Sequence, residues 1–167
     1  MQTYAQIEEL YMLKKVGFYS IRLEDEVETE MEKFISKFRA DPIFYQDYRV
    51  LAAWIKRIGN EEGALPGLFR DEDDAQALPP EFRAMEIRGM LDEVGYDLRL
   101  YCLRLSNEVV ILLNGGVKES QKTQDSPDLL PKFRLANRVS KAVTQKIIRR
   151  ELMIQGKQLK GDFELIF

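Results

Sequence analysis

Chemistry in this chain has to come from few side-chain types. It contains no histidine and one cysteine, so the commonest general base near neutral pH is missing and a Cys–His nucleophile cannot be assembled. Proton transfer and charge stabilisation are left to Arg, Lys, Tyr, Glu and Asp. Cys102 stands in an apolar run and reads as a small buried hydrophobe rather than a reactive thiol. The cations are concentrated late. Residues 1–97 carry 12 Lys and Arg against 21 Asp and Glu, a balance of −9, and residues 98–167 carry 13 against 7, a balance of +6. That asymmetry fits a nucleic-acid-facing surface, and equally fits two halves that attract each other within the fold. Arginine suits phosphate because its planar fork offers two parallel donors. Lysine acts as a base at neutral pH only where burial or neighbouring positive charge lowers its pKa. Arg99 and Tyr101, two residues apart, would share one side of a strand. The run Asp71-Glu72-Asp73-Asp74 offers carboxylates to a hard cation but lacks the spacing and turn glycine of a calcium loop, so a solvated loop is expected there, with no metal and no cofactor.

The elements that must position these residues follow from periodicity. Tyr4, Ile7, Leu10 and Tyr11 fall on one face of a helix predicted over Thr3–Val16 and ended by Gly17. Phe18–Leu23 reads as a strand. A helix follows, with Asp25 as N-cap, Glu28 completing a capping box, and Val27, Met31, Phe34, Ile35 and Phe38 as its apolar stripe. Asp41-Pro42 opens a second helix whose stripe is Phe44, Tyr48, Leu51, Ala52, Ile55 and Ile58, closed by Gly59-Asn60. Residues 60–81 read as a long acidic loop. Phe82–Met90 is a strand candidate. Tyr96–Leu105 and Val109–Leu113 form a hairpin around Ser106-Asn107-Glu108, with Leu98, Leu100 and Cys102 on one face and Arg99, Tyr101 and Leu103 on the other. Val109–Leu113 is apolar throughout, as a strand covered on both faces would be, and Asn114-Gly115-Gly116 should break or bulge it. Pro131 opens a last helix, ended by Gly156, with Leu135, Val139, Ala142, Val143 and Ile147 buried and Lys132, Arg134, Arg138, Lys141, Lys146, Arg149 and Arg150 outside. Phe163–Phe167 is a candidate terminal strand.

The 167 residues are enough for one domain with its own core. The expected fold class is α+β. An antiparallel sheet of 3–5 strands packs against two N-terminal helices, with an added N-terminal helix (1–17), an acidic loop (60–81) and a C-terminal helix followed by an extension (151–167). Residues 1–9 carry no secretory pattern and no apolar run nears the length of a membrane span, so a cytoplasmic protein without membrane partners is expected.

Two stretches resemble the RelE/ParE/HigB superfamily of bacterial toxin–antitoxin toxins. Met85-Glu86-Ile87-Arg88 is similar to that family's aromatic–Glu–Leu–Arg strand. Tyr96-Asp97-Leu98-Arg99, through Val109-Val110-Ile111-Leu112-Leu113-Asn114-Gly115 to Lys118, Gln121, Lys122 and Thr123, is similar to its Arg-bearing strand, hairpin, apolar strand and Lys-rich exit. The order of elements over about 18–150 also fits. Where the family often has His-Gly after the apolar strand, this chain has Asn114-Gly115.

The resemblance implies the toxin of a type II toxin–antitoxin pair, acting as an endoribonuclease on ribosome-bound mRNA. In such enzymes a ribose 2′-oxygen attacks the neighbouring phosphate, which needs a base, cations for the developing charge and an acid for the leaving 5′-oxygen. It places Arg88, Arg99, Lys118 and Lys122 as the phosphate-handling residues and Tyr101 as a base-stacking or proton-transfer group. It also implies a cognate antitoxin, mRNA and the ribosome as partners, and allows a homodimer. The alternative is a non-enzymatic module of the same fold, either a ParE-like topoisomerase inhibitor or an inactive homologue. Blander readings stay open beside these roles. Arg88 can pair with Glu86 or Glu93, Arg99 and Arg104 can be solvated strand residues, Lys118 and Lys122 ordinary loop cations, Tyr101 a half-buried aromatic, and the cationic helix face plain surface.

Overall fold

The structure is a computed structural model and describes residues 2–81, 97–119 and 126–167. Its centre is the apolar run that the sequence marks for double burial. Val109 to Leu113 opens β6 (Val109–Val117), and all five residues are buried. β6 pairs antiparallel with β5 (Leu98–Arg104) and parallel with β2 (Gly17–Leu23). β1 (Tyr4–Met12) covers the other edge of β2, and β9 (Glu164–Ile166) covers β1. On the far side, β4 (Ala75–Leu78) lies beside β5 and β3 (Arg70–Glu72) closes the edge. The sheet order is β3-β4-β5-β6-β2-β1-β9, seven strands with β2–β6 the one parallel pair among those described. The fold class is thus mixed α+β with a large, mostly antiparallel sheet, wider than the 3–5 strands expected.

Each face of the sheet has its own core. α1 (Glu30–Phe38) and α2 (Tyr45–Arg57) cover one face, where Phe34, Phe38, Leu51 and Trp54 meet Phe18, Leu98, Leu100, Cys102, Val110 and Leu112. α3 (Leu130–Ile148) covers the other, where Val139 and Val143 meet Tyr19, Tyr101, Leu103, Ile111 and Leu113. The alternation read from β5 therefore holds, with even positions toward α1 and α2 and odd positions toward α3. Cys102 is fully buried, and burial pushes its thiol pKa well up, so it is held as the neutral thiol.

Four local expectations are corrected. Residues 4–12 form a strand, not a helix. Tyr4, Ile7, Leu10 and Tyr11 satisfy a helical period, but Ala5 and Ile7 also alternate. The open edge of β2, whose backbone groups need partners, selects the strand. The first helix starts later than expected: Thr29 is its N-cap and forms the capping box with Glu32, while Val27 is 94% exposed. The acidic loop contains a short helical turn (Pro66–Leu68) and the β3–β4 hairpin, whose turn residue Asp73 adopts φ 57°. Finally, α3 ends at Ile148 rather than at Gly156. A hairpin of β7 (Leu152–Gln155) and β8 (Gln158–Gly161) follows, with Gly156 at φ 59° in its turn. That hairpin is tied down by Leu159 N–H donating to the Tyr19 hydroxyl at 2.9 Å and by Lys157 Nζ donating to the Leu13 carbonyl at 2.8 Å. The expected strand at 82–90 lies outside the described residues.

Asn114-Gly115-Gly116 bulges β6 without breaking it. Leu100 pairs with Gly115 and Cys102 with Leu112, so two residues, Leu113 and Asn114, oppose Tyr101. The bulge brings Gly115 onto the backbone of Arg99: a Cβ at 115 would lie 1.7 Å from the Arg99 carbonyl oxygen. Gly67, by contrast, has nothing within 4 Å of an added Cβ. Gly115→Ala is therefore expected to lose about 1–3 kcal/mol of stability by overpacking, and Gly67→Ala to stay within about 0.5 kcal/mol of the parent. Urea denaturation of both variants measures the difference, and equal midpoints would show that the close approach is not there.

Candidate functional site

Three cations and a carboxylate gather at one end of the sheet, on the α3 face. Strand register places them. Arg70 is opposite Ala77 and Glu72 opposite Ala75, while Ala77 is opposite Tyr101. Directly paired residues project to the same face, and Ala75, Ala77 and Tyr101 all belong to the α3-side core. Arg70 and Glu72 therefore project to that face, and Arg99 joins them by alternation from Tyr101. Lys118 follows β6, and its N–H donates to the Asp97 carbonyl at 2.7 Å, which fixes it beside the start of β5. The small side chains of Ala75 and Ala77 keep the floor between these groups low.

Backbone carbonyls hold the two guanidinium groups. Arg70 donates from Nε and Nη2 to the carbonyls of Pro79 and Pro80, each at 3.2 Å. Arg99 is only 6% exposed and donates from Nη1 to the Leu98 carbonyl at 3.0 Å. Glu72, Arg70 and Lys118 are half-buried. Beyond Arg99, Gly116 leaves room for the Asp128 carboxylate, since a Cβ there would lie 2.2 Å from Asp128 Oδ2. Asp128 accepts from the Val117 N–H at 2.7 Å and from Lys37 Nζ at 3.1 Å, so α1 and the approach to α3 are pinned beside the site.

The groups perturb one another. Burial and the Arg70 cation push the Arg99 guanidinium down to about 10, against the pull of Glu72, Tyr101 and Asp97. Burial, then Arg99 and Arg70, hold the Lys118 ammonium below the ordinary lysine value, with Glu72 opposing. Glu72 is held above the ordinary carboxylate range. Burial is the largest cause, and it outweighs the stabilising cations Arg70, Lys118 and Arg99, with Asp73 adding to the rise. Such an end of the sheet can bind an oxyanion and exchange protons with it.

Of the residues expected from the sequence, Arg99 and Lys118 are brought together. Tyr101 is placed in the core, fully buried with its ring centroid 6.0 Å from that of Phe133. A side chain without exposed surface is not available to stack on a nucleobase, and the aromatic packing role describes it. Arg88 and Lys122 lie outside the described residues. Arg104 donates to the Ala64 carbonyl at 2.6 Å and to Asn107 Oδ1 at 2.6 Å, so it braces the hairpin turn. Three of the seven cations expected on the exterior of the last helix are engaged inside the molecule. Lys146 pairs with Asp162 at 2.5 Å, Lys141 with Asp74 at 3.7 Å, and Arg138 lies 5.1 Å from the Phe167 ring. Sequence reasoning missed Arg70 and Glu72. They sit in a three-residue strand, Arg-Asp-Glu, without a β-branched or apolar residue, and the only local signal was a polar turn at Asp73-Asp74.

A second feature lies on the opposite face. Tyr11, Phe34, Tyr48, Leu51, Ile55 and Lys56 contribute to the lining of an open, apolar cavity of about 240 Å³ between β1, α1 and α2. No helix among the described residues is long and apolar enough to cross a membrane. Comparison of the chain with protein-family models, curated proteins and solved structures returned no match.

The Glu72 geometry has a consequence for stability. A carboxyl whose folded pKa is raised contributes stability when protonated, and that contribution is lost as pH rises through the folded value. At neutral pH the charged carboxylate therefore weighs against the fold. Glu72→Gln, which mimics the neutral form, is expected to be more stable than the parent at neutral pH. The difference should vanish below the ordinary glutamate range. Denaturant midpoints across pH test this, and a Glu72→Gln protein destabilised at neutral pH would refute it.

Proposed function

We propose that the protein is the toxin of a type II toxin–antitoxin pair and cleaves ribosome-bound mRNA by metal-independent transesterification at the Arg70–Arg99–Lys118 end of its sheet. One observation carries this reading. Arg99 and Lys118, matched independently by the family resemblance, converge with a third cation, Arg70; burial and then Arg70 lower the pKa of Arg99, and burial, then Arg99 and Arg70, lower that of Lys118. That standing repulsion is relieved by a bound phosphate. The order of an upstream strand, two helices and then the β5–β6 hairpin, which the resemblance leads one to expect, supports the reading, within a sheet of seven strands. In this reading Arg70 and Arg99 take up the charge of the phosphorane and Lys118 takes part in proton transfer. The partners are the ribosome with its mRNA and a silencing antitoxin, in the cytoplasm, and a homodimer is compatible with it.

The apolar cavity between α1 and α2 favours a second reading, a non-enzymatic module that acts by docking on a partner such as a topoisomerase. Induced expression separates the two. The ribonuclease reading expects growth arrest with transcripts cut within their coding sequences. Arg99→Ala and Lys118→Ala, each checked for folding by circular dichroism, should lower cleavage by about 10²–10³-fold. RNA binding should weaken steeply as salt is raised. Arrest with intact transcripts supports the docking module instead, and unimpaired growth with no cleavage by purified protein on ribosomes refutes the ribonuclease.

A further inference from the structure

Glu72 lies outside the stretch that carries the family resemblance, yet it is the described carboxylate coupled to all three cations of the site. Among the described residues, five other carboxylates nearby differ from it. Asp128 accepts from Val117 and Lys37. Asp74 pairs with Lys141 of α3. Asp71 alternates to the opposite side of β3, and Asp73 occupies the left-handed turn position. Asp97 acts on Arg99 but not on Lys118. Glu72 is half-exposed and projects over Ala75 toward the same face as Arg70, Arg99 and Lys118.

We propose that Glu72 is the proton acceptor and Lys118 the proton donor of the phosphodiester cleavage performed at this site; the assignment rests on the ribonuclease reading above. The Glu72 carboxylate takes the proton of the ribose 2′-hydroxyl as the 2′-oxygen forms its bond to phosphorus. Arg70 and Arg99 face the non-bridging oxygens, where negative charge accumulates. The bond from phosphorus to the 5′-oxygen then breaks, and the Lys118 ammonium gives that oxygen a proton. The products are a 2′,3′-cyclic phosphate and a 5′-hydroxyl end, with no water, oxidant or metal consumed. The groups facing Glu72 suit the task. Arg70 and Asp73 on its own hairpin, Arg99 on β5 and Lys118 after β6 surround it, and its raised and Lys118's lowered proton affinity bring acid and base toward each other and toward neutral pH.

The experiment uses purified full-length protein on ribosomes programmed with a short mRNA, and measures binding on the same mRNA carrying a 2′-O-methyl group at the cut site. The parent is expected to cleave with a rate that rises with pH through the Glu72 titration, leaving 2′,3′-cyclic phosphate ends. Glu72→Gln should bind the methylated mRNA like the parent, cleave it in unmodified form about 10²-fold more slowly or worse, and lose that rise. Glu72→Asp should recover part of the rate together with the rise. A parent that cleaves and a Glu72→Gln variant that cleaves equally, with the same pH profile, overturns the role of Glu72 and leaves the ribonuclease standing. Loss of binding along with cleavage in Glu72→Gln also overturns it, because the carboxylate then positions the cations. A parent that cuts nothing overturns both.

Discussion

The pairing of β5 with β6 is the contact on which the rest of the molecule depends. Both strands are buried on both faces, so neither folds stably until helices cover the two sides. The even positions of β5 draw α1 and α2 onto one face and the odd positions draw α3 onto the other. Because the side-chain period of a strand is two, a slip of one residue would send Arg99 into the aromatic core around Trp54 and turn Leu100 and Cys102 toward the charged site. The bulge at Leu113-Asn114 and the bare backbone of Gly115 pin the register where it matters, directly against Arg99. The chemistry-bearing end of the sheet is thus fixed by the strand pair that makes the core.

Holding Arg99 there is costly. A guanidinium with 6% of its surface exposed, set near a second guanidinium and a lysine, loses hydration and meets like charge. The fold offsets this with carbonyls at strand ends, where Arg70 finds Pro79 and Pro80 and Arg99 finds Leu98. Glu72 lowers the repulsion, yet burial still works against its own ionisation. An arrangement in which Glu72, Arg99 and Lys118 all have their proton equilibria displaced toward the neutral form does not serve stability. A simple ion pair of Arg with Glu would have displaced each toward its charged form. Here burial and like charge displace both the acid and the lysine toward neutrality, which is the condition for exchanging protons with a bound phosphate ester.

The sequence made the central part of this legible. The double burial of Val109–Leu113, the division of β5 between two faces, the hairpin and the presence of both helices of the α1–α2 pair followed from period, whereas both helices start later than their expected caps, at Glu30 and Tyr45. What escaped was decided at long range. Residues 4–12 have a pattern that fits either a helix or a strand, and only the open edge of β2 chooses. Arg70 and Glu72 sit in a strand whose own residues have no strand preference, formed because β4 offers an edge. Their approach to Arg99 spans almost thirty positions of chain and has no local signature. Tyr101 shows the opposite failure. Its spacing from Arg99 placed it correctly on the α3 side, but spacing does not say how far a helix reaches along the sheet, and Phe133 at the start of α3 covers it.

The charge asymmetry read from the sequence left two explanations, a polyanion-facing surface or attraction between halves, and the structure divides the cations between them. Three of those on α3 make internal contacts. Lys146, Lys141 and Arg138 hold the C-terminal strand, the β3–β4 turn and the chain ends to the helix. These contacts are between exposed or half-exposed groups and add little stability singly, but they occupy three of the seven side chains that had looked most like a nucleic-acid face. The cations at the sheet end are arranged on the other principle. They are few, backbone carbonyls hold the two guanidinium groups, and with burial Arg70 depresses the proton affinity of Arg99 and both arginines depress that of Lys118. A cationic stripe on a helix reports charge density, which salt screens and which many surfaces share. Convergence of like charges from three strands has no such general cause, because each must be held there against repulsion. The sheet end therefore, more than the helix, has the arrangement that a bound oxyanion would relieve.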